Sequence, residues 1–392
     1  MNMNKIFSKS VNVLLAIFVL FTVLPIKINY SSIVIIVLSI LSLFNVVFIK
    51  NKNFFKHYSF ILSIPFFVYA IGLINTSDFV KGIDFLTRNA SFLAFPLIFY
   101  SLSGYINTKF LLKIYLLSLF LIDLYLIYLF IYYFNFGERF YKIVTVDIYH
   151  STYLGMYNLV GFWLIITRFK NLNLLAFFFL FSALFTSSRI VFIIGVFSVL
   201  IIIFRNITSP NLKIGGALFV VLFAFIIINK TPSLRQKFDE ITEINKIGFD
   251  KHNYKSISSR FGKLEASLKV IEKYPILGAG TGDLMSELVL IYQEMNFTAG
   301  IKKKYNPHNQ FLDNIARNGV LGIVSLVIIY FLPLYVSKKE KDSFYLSFVL
   351  VIIGVSLTES ILDVHKGITF YTFFNTMLFY DTLKDQKTNS VI

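Results

Sequence analysis

The residue best suited to proton transfer is His308, which stands where a long polar segment gives way to an apolar helix. Imidazole exchanges a proton near neutral pH, so a histidine in this position is a candidate general base. Pro307 restrains the approach of the chain to the helix, and the amide of Asn309 is placed to orient the ring. A polar residue that only caps the helix would occupy the same position, so the pattern leaves both interpretations open.

Two arginines are candidates for binding an anion. Arg260 begins an amphipathic segment after two serines, and Arg189 begins an apolar helix after two serines. An arginine at the edge of the hydrocarbon layer is costly without a partner, and its guanidinium matches phosphate oxygens in a bidentate fork. Each arginine would otherwise be an anchor that snorkels to the interface. If both meet His308, the three residues form a site for a phosphorylated substrate at the membrane surface.

The remaining residues that could take part in chemistry are the carboxylates and the potential metal ligands. Glu359 and Asp363 lie near the outer end of the eleventh predicted helix, where either could pair with an arginine, orient His308 or remain an ordinary interfacial carboxylate. The chain has no cysteine, which excludes disulfides, thiolate metal sites and a cysteine nucleophile. The histidines and carboxylates show no spacing typical of a metal site. We therefore expect a reaction without a metal ion or other cofactor.

The composition indicates an integral membrane protein. Of 392 residues, 56% are hydrophobic and 15% are charged, whereas soluble domains contain about 25% charged residues. Repeated apolar runs of about 17–25 residues are typical of membrane-spanning helices. The net charge of +16 comes from short basic clusters between these runs. This is the positive-inside pattern and not a surface that binds nucleic acid.

We predict an all-α integral membrane fold with about twelve transmembrane helices. The predicted helices cover residues 11–27, 31–49, 57–74, 89–104, 110–134, 150–167, 172–186, 189–204, 213–229, 313–335, 344–360 and 367–381. Every second connection is basic and the others are nearly neutral, which places both termini in the cytoplasm. The first apolar run lacks a small-residue cleavage site, so we interpret it as a retained helix.

The chain divides into three parts. Residues 1–229 hold helices one to nine, residues 230–312 form one large polar loop, and residues 313–392 hold helices ten to twelve with a short cytoplasmic tail. The loop lies on the outer side in this topology, between helices nine and ten. Long loops in compact folds are usually functional. We therefore expect the loop to cover the helices and to contribute to the site.

The large loop has predicted structure of its own. Residues 258–273 read as an amphipathic helix with apolar residues at helical spacing, namely Phe261, Leu264, Leu268 and Ile271. Pro275 and the glycines of 278–282 then predict a tight turn, followed by a second helix over 283–295. The glycine run follows a helix and not a strand, so it is not a nucleotide-binding fingerprint.

Taken in order, these features resemble the O-antigen ligase and polymerase superfamily. The residues that carry the resemblance are Ser188-Arg189, Ser259-Arg260, Tyr274-Pro275-Ile276-Leu277-Gly278-Ala279-Gly280-Thr281-Gly282, Pro307-His308-Asn309-Gln310-Phe311-Leu312 and Asn318-Gly319-Val320-Leu321-Gly322. The pattern extends from Ser187 to Gly322. The N-terminal helices resemble the family only in number and hydropathy.

The resemblance implies a multi-helical membrane glycosyltransferase of the GT-C type in the inner membrane of a Gram-negative bacterium, with a periplasmic active site. Such enzymes take a glycan from an undecaprenyl diphosphate carrier. Carried over by position, His308 would activate the acceptor hydroxyl, and Arg189 and Arg260 would bind the diphosphate. Either Glu359 or Asp363 would be the acidic residue of the site.

Several functions share this architecture. A ligase passes the glycan to a sugar of lipid A–core, and this is our leading expectation. A polymerase passes it to another repeat unit, and a protein O-oligosaccharyltransferase passes it to a protein hydroxyl. A secondary transporter is a different class, but the predicted helix interiors hold few ionisable residues, which midplane transport sites usually show. A non-catalytic scaffold for envelope assembly would not need the histidine and two arginines.

Overall fold

In the computed structural model, the chain is described at residues 3–25, 30–48, 58–134, 150–231, 234–236, 238–239 and 256–389. Within these residues the regular secondary structure is helical. In chain order the α-helices are α1 (Met3–Val23), α2 (Tyr30–Phe48), α3 (Ile64–Ile71), α4 (Phe79–Arg88), α5 (Ser91–Leu102), α6 (Thr108–Phe134), α7 (Ser151–Arg168), α8 (Asn173–Phe185), α9 (Arg189–Asn206), α10 (Pro210–Lys230), α11 (Ser256–Lys273), α12 (Leu284–Glu294), α13 (Thr298–Lys303), α14 (Gln310–Leu326), α15 (Leu332–Lys339), α16 (Ser343–Ser356) and α17 (His365–Asn389).

Each of the twelve predicted segments contains a helix near its expected position. Six helical stretches in the described residues are long and apolar enough to cross a membrane, namely Asn4–Val23, Tyr30–Val47, Thr108–Tyr132, Arg189–Asn206, Pro210–Lys230 and Gln310–Lys339. The helical, membrane-integral character of the fold is therefore confirmed. The count of twelve crossings and the division into three parts stay predictions.

Local sequence explains where several helices begin. Asp78 and Asp342 precede α4 and α16, and their carboxylates accept hydrogen bonds from backbone N–H groups of the first turn. Proline occupies the first turn of α10, where its missing N–H costs nothing. These caps satisfy donors that a helix start otherwise leaves without partners.

Two buried helices form the centre of the bundle and begin at the same end of it. In α7, every residue from Ser151 to Ile165 is buried, and α17 is buried from Gly367 to Phe379. The two starts meet, because the Tyr157 hydroxyl donates to the carbonyl of Lys366 at 3.4 Å. Aromatic rings pack against α17, among them Phe18, Phe95 and Tyr115.

Helix α10 is the opposite case. It has no buried residue over its 21 positions, and it packs on α9. A helix that is apolar on all sides and unburied by protein is suited to a lipid environment. Its composition therefore agrees with a membrane-spanning position at the periphery of the bundle.

The tenth predicted helix is interrupted within α14. Gly319 has φ 55° and ψ −132°, which is far from helical geometry, and a π-helical turn at Val327–Phe331 leads into α15. The carbonyls of Ala316 and Arg317 lose their helical donors at this break. The glycine turn supplies replacements, since Ala279 N–H donates to the Ala316 carbonyl at 2.8 Å and Gly280 N–H donates to the Arg317 carbonyl at 3.0 Å.

Contact at the break is close because glycine lies on both sides of it. Gly278 has φ 73°, and a Cβ added there would lie 2.3 Å from the carbonyl oxygen of Arg317. A Cβ added at Gly319 would lie 2.2 Å from the carbonyl oxygen of Ile276. The predicted tight turn is present, and its N–H groups donate hydrogen bonds to backbone carbonyls at the interruption of α14.

Helices α11 and α12 confirm both helices predicted within the large loop. The apolar stripe of α11 is largely exposed, because Phe261, Leu264 and Leu268 are 49%, 41% and 50% exposed. The buried face carries small and polar residues instead, among them Lys263 and Ser267. An exposed apolar stripe is suited to a helix that lies in the membrane interface.

The predicted topology places α13 outside the cytoplasm. We expect a cysteine introduced at the exposed Lys302 to react with a membrane-impermeant thiol reagent added to the periplasmic side, because the chain has no other cysteine. A cysteine at the exposed Lys339 is the control, and it should react only after the inner membrane is opened. The reverse pattern would contradict the topology. Lys246, a second position in the loop suited to this test, lies outside the described residues.

Candidate active site

The candidate site is built around the start of α14. The Asn309 Oδ1 atom accepts hydrogen bonds from the N–H groups of Phe311 at 2.9 Å and Leu312 at 3.1 Å. Its Nδ2 donates to the carbonyl of Leu357 at 3.1 Å. Asn309 therefore caps α14 and ties it to the turn after α16. The sequence suggested that Asn309 orients the imidazole, but its amide is engaged with backbone groups.

His308 is oriented by Glu359. The Nδ1 atom of His308 lies 3.0 Å from Oε2 of Glu359, and the side chains are 31% and 14% exposed. Because the carboxylate can only accept, we assign the imidazole proton to Nδ1, which leaves the Nε2 lone pair as the basic atom. His308 also has φ 48°, held by its N–H donating to Oδ1 of Asn306 at 3.1 Å. A non-glycine residue with positive φ, fixed by its neighbours, is a feature of many functional sites.

Glu359 stays ionised although it is buried. Burial raises the pKa of this carboxyl, but the hydrogen bond from His308 and electrostatic interactions with His308, His150 and Arg260 outweigh it and bring the pKa below its ordinary value. The resulting anion stabilises the imidazolium that forms when His308 takes a proton. The same interactions place Arg260 within electrostatic range of the pair.

Arg260 is available to a ligand. It is half-buried in the first part of α11, and within the described part of the chain no hydrogen bond or ion pair engages its guanidinium. Helix α11 packs on α14, which carries His308 at its entrance. A half-buried guanidinium within electrostatic range of a carboxylate–imidazole pair is suited to binding an anion.

Arg189 begins α9 at the same end of the bundle. The preceding Ser188 hydroxyl lies 3.2 Å from the hydroxyl of Thr152 in the first turn of α7. The next residue along, Tyr153, is within electrostatic range of Glu359 and Asp363. The start of α7 thus connects the Arg189 turn to the Glu359 turn. Whether Arg189 and Arg260 share one pocket with His308 stays a prediction.

Asp363 has a different partner from Glu359. Its Oδ1 lies 3.4 Å from Nη2 of Arg317, and its Oδ2 accepts from Nδ2 of Asn306 at 3.1 Å. Its carbonyl accepts from Arg88 at 3.0 Å. Of the two carboxylates that the sequence left as alternatives, Glu359 is the one that contacts His308, and Asp363 holds the surrounding turns.

The sequence did not single out Arg317, which is the centre of a buried network. Its Nε and Nη2 donate to Oδ1 of Asp313 at 3.1 and 2.9 Å, and its Nη1 donates to the carbonyl of Thr281 at 2.9 Å. Its guanidinium also stacks 3.9 Å from the ring centroid of Phe85. Arg317 therefore links α4, the glycine turn, α14 and the Asp363 turn. The spacing of Asp313 and Arg317, four residues apart on a helix, was the available signal.

Comparison with known proteins agrees with this geometry. A family model described as O-antigen ligase matches residues 174–327, which include Arg189, Arg260 and His308. The chain is also 21% identical over 165 residues to the O-antigen ligase of Escherichia coli (strain K12). That alignment covers 41% of this chain and 39% of the relative, so the chain spans about two fifths of the length of this curated protein. Residues 174–327 of the chain are therefore similar to the O-antigen ligase family.

Proposed function

We propose that the protein is an O-antigen-ligase-type glycosyltransferase that moves a glycan from undecaprenyl diphosphate to a hydroxyl of lipid A–core at the periplasmic face of the inner membrane. The observation that carries the proposal is the His308–Glu359 pair, 3.0 Å apart and within the field of Arg260. A base held by a buried carboxylate within the field of the Arg260 guanidinium matches the two needs of this transfer, which are to deprotonate an alcohol and to bind a diphosphate.

The chemistry requires positioning and charge stabilisation. The acceptor hydroxyl gives its proton to Nε2 of His308 while its oxygen attacks the anomeric carbon of the glycan. The bond between that carbon and the phosphate oxygen breaks, and the electron pair stays on the diphosphate. Arg260 and Arg189 would neutralise the diphosphate, so no metal ion is needed. Oriented groups of this kind supply a large part of enzymatic rate enhancement.

A polymerase or a protein O-oligosaccharyltransferase would use the same donor and the same base. These enzymes differ from a ligase in the acceptor. The similarity to a relative described as an O-antigen ligase supports the ligase as the leading proposal.

Buried ionisable residues bear on the transporter alternative. Among the described residues, the predicted helix interiors hold few of them, and Asp123, Asp313 and Arg317 are buried. Asp313 and Arg317 form an ion pair with each other, and Arg317 also donates to the carbonyl of Thr281 in the glycine turn. This pairing gives both charges a structural role, which favours the glycosyltransferase over a transporter.

The glycan profile of a deletion strain tests the function. Loss of long glycan from lipid A–core, with the full range of chain lengths kept on the lipid carrier, is the expected result. A single repeat unit on lipid A–core would instead identify a polymerase. An unchanged profile on both lipids would contradict the whole proposal.

Arg260→Lys is expected to weaken use of the donor by roughly 10-fold, because lysine keeps the charge but loses the bidentate fork. The matched control is Arg235→Lys, since Arg235 is 60% exposed and pairs only loosely with Asp239 at 3.6 Å. The measurement is transfer as a function of donor concentration, with chelator in excess, at equal amounts of protein. Equal donor dependence for both variants would remove Arg260 from the diphosphate site.

A further inference from the structure

Lys263 is a buried lysine for which the described residues provide no carboxylate partner. It lies one helical turn after Arg260 on α11, and it is 5% exposed. Its Nζ atom stands 4.5 Å from the ring centroid of Tyr305, and no carboxylate of the described residues forms an ion pair with it. Buried lysines are almost always paired, because an ammonium loses much of its solvation energy inside a protein. Within the described part of the chain, the ammonium of Lys263 is therefore balanced only at longer range, by Glu359.

The surroundings of Lys263 belong to the candidate active site. Tyr305, whose ring faces the ammonium, lies with its centroid 6.2 Å from the imidazole of His308. The charged groups around the ammonium are Arg260 on the same helix and Glu359 on the turn after α16. Burial and the like charge of Arg260 lower the pKa of Lys263 to about 8, while Glu359 acts in the opposite direction.

Among the described groups around Lys263, positive charge therefore exceeds negative charge. Arg260 and Lys263 contribute two positive charges, and the nearby Glu359 carboxylate is already hydrogen-bonded to His308. The cation–π contact with Tyr305 stabilises the ammonium only in part. An anionic ligand with two charged groups would satisfy both cations, and a diphosphate has this form.

We infer that Lys263 is a further phosphate-binding residue of this site, acting with Arg260 on a lipid-linked diphosphate and placed to stabilise the phosphate that leaves. The inference rests on the proposed function. When the bond between the anomeric carbon and the phosphate oxygen breaks, the diphosphate gains one negative charge and the acceptor proton resides on His308. An ammonium beside that phosphate oxygen interacts more strongly with the product charge than with the ground state, which lowers the barrier.

The test measures binding of undecaprenyl diphosphate and undecaprenyl monophosphate to the full-length protein in lipid nanodiscs. We expect Lys263→Met to reduce the preference for the diphosphate over the monophosphate by roughly 10-fold, the effect of losing one charged hydrogen bond. Lys263→Arg should keep most of the preference. Lys269→Met is the matched control on the same helix, because Lys269 is 44% exposed and pairs with Glu265.

A pH series separates this role from a structural one. In the wild type, affinity for the diphosphate should fall as the pH rises through about 8, because the ammonium of Lys263 then loses its proton. This decrease should be absent in Lys263→Met, and affinity should hold over the same pH range in Lys263→Arg, since a guanidinium stays protonated throughout it.

Two sets of results would overturn the inference. If Lys263→Met prefers the diphosphate as strongly as the wild type does, the ammonium of Lys263 does not bind the diphosphate. Equal weakening of both lipids, with the same pH dependence as the wild type, would show that Lys263 only supports the fold. If the wild-type protein binds neither lipid, the proposed function itself fails. If it binds and transfers while Lys263→Met behaves identically, only the role of Lys263 fails.

Discussion

His308→Ala is expected to lower glycan transfer by about 10²–10⁴-fold, which is the usual contribution of a positioned general base. The protein should still insert and bind its lipid donor, because the cations of the site are untouched. Glu359→Gln should cause a smaller loss of the same kind, since the amide keeps the shape of the side chain but cannot stabilise an imidazolium. The measurement is transfer at saturating donor, with donor binding determined in parallel.

A histidine away from the site provides the control. His365 lies at the start of α17, where its Nε2 contacts the hydroxyl of Ser32 at 3.1 Å. His365→Gln should leave transfer close to that of the wild type. Near-wild-type transfer by His308→Ala would remove the base from the mechanism, and a loss of donor binding as large as the loss of transfer would assign His308 to binding instead.

Gly278→Ala is expected to prevent stable folding. The new Cβ would lie 2.3 Å from the carbonyl oxygen of Arg317 and 2.4 Å from the backbone nitrogen of Asn318, at a residue with φ 73°. Backbone atoms cannot move aside as a side chain can, so the turn must leave the break in α14. We expect a loss of at least about 2–4 kcal/mol, from the left-handed conformation and the lost hydrogen bonds together.

Gly104→Ala is the matched control, because Gly104 is exposed and a Cβ there would meet no atom within 4 Å. The measurement is the thermal stability of the purified protein and its yield in the membrane. If Gly278→Ala is as stable as the wild type, the glycine turn does not pack against the break in α14 as the structure shows.

Hydropathy predicted the helices well because a membrane requires long apolar segments with their backbone groups satisfied internally. Charge placement also predicts the division of the chain into three parts, which stays a prediction. The interruption of α14 was not predictable, since Gly319 lies within a segment predicted as one helix and the hydrogen bonds that stabilise the break come from Ile276 and Ala279, some forty residues earlier. Periodicity also identified α11 as a helix, but it did not indicate that its apolar stripe is exposed.

For the candidate site too, the sequence suggested some residues and could not suggest others. His308, Arg189 and Arg260 are candidates that residue type and position suggested, and their roles stay predictions. The choice between Glu359 and Asp363 as the partner of His308 was not predictable, because it depends on how the turn after α16 folds against α14, across 51 residues of sequence. Lys263 was missed because a single lysine on an amphipathic helix is usually solvated, and only its burial and its contact with Tyr305 distinguish it.

The most direct test of the central claim is a reconstituted reaction. Purified protein in liposomes would receive an undecaprenyl-diphosphate-linked glycan and lipid A–core, and both products would be followed over time. Release of undecaprenyl diphosphate that depends on the acceptor and equals the amount of glycosylated lipid A–core is the result we predict. Binding of the donor without any release of undecaprenyl diphosphate, or movement of intact donor across the membrane, would contradict a glycosyltransferase.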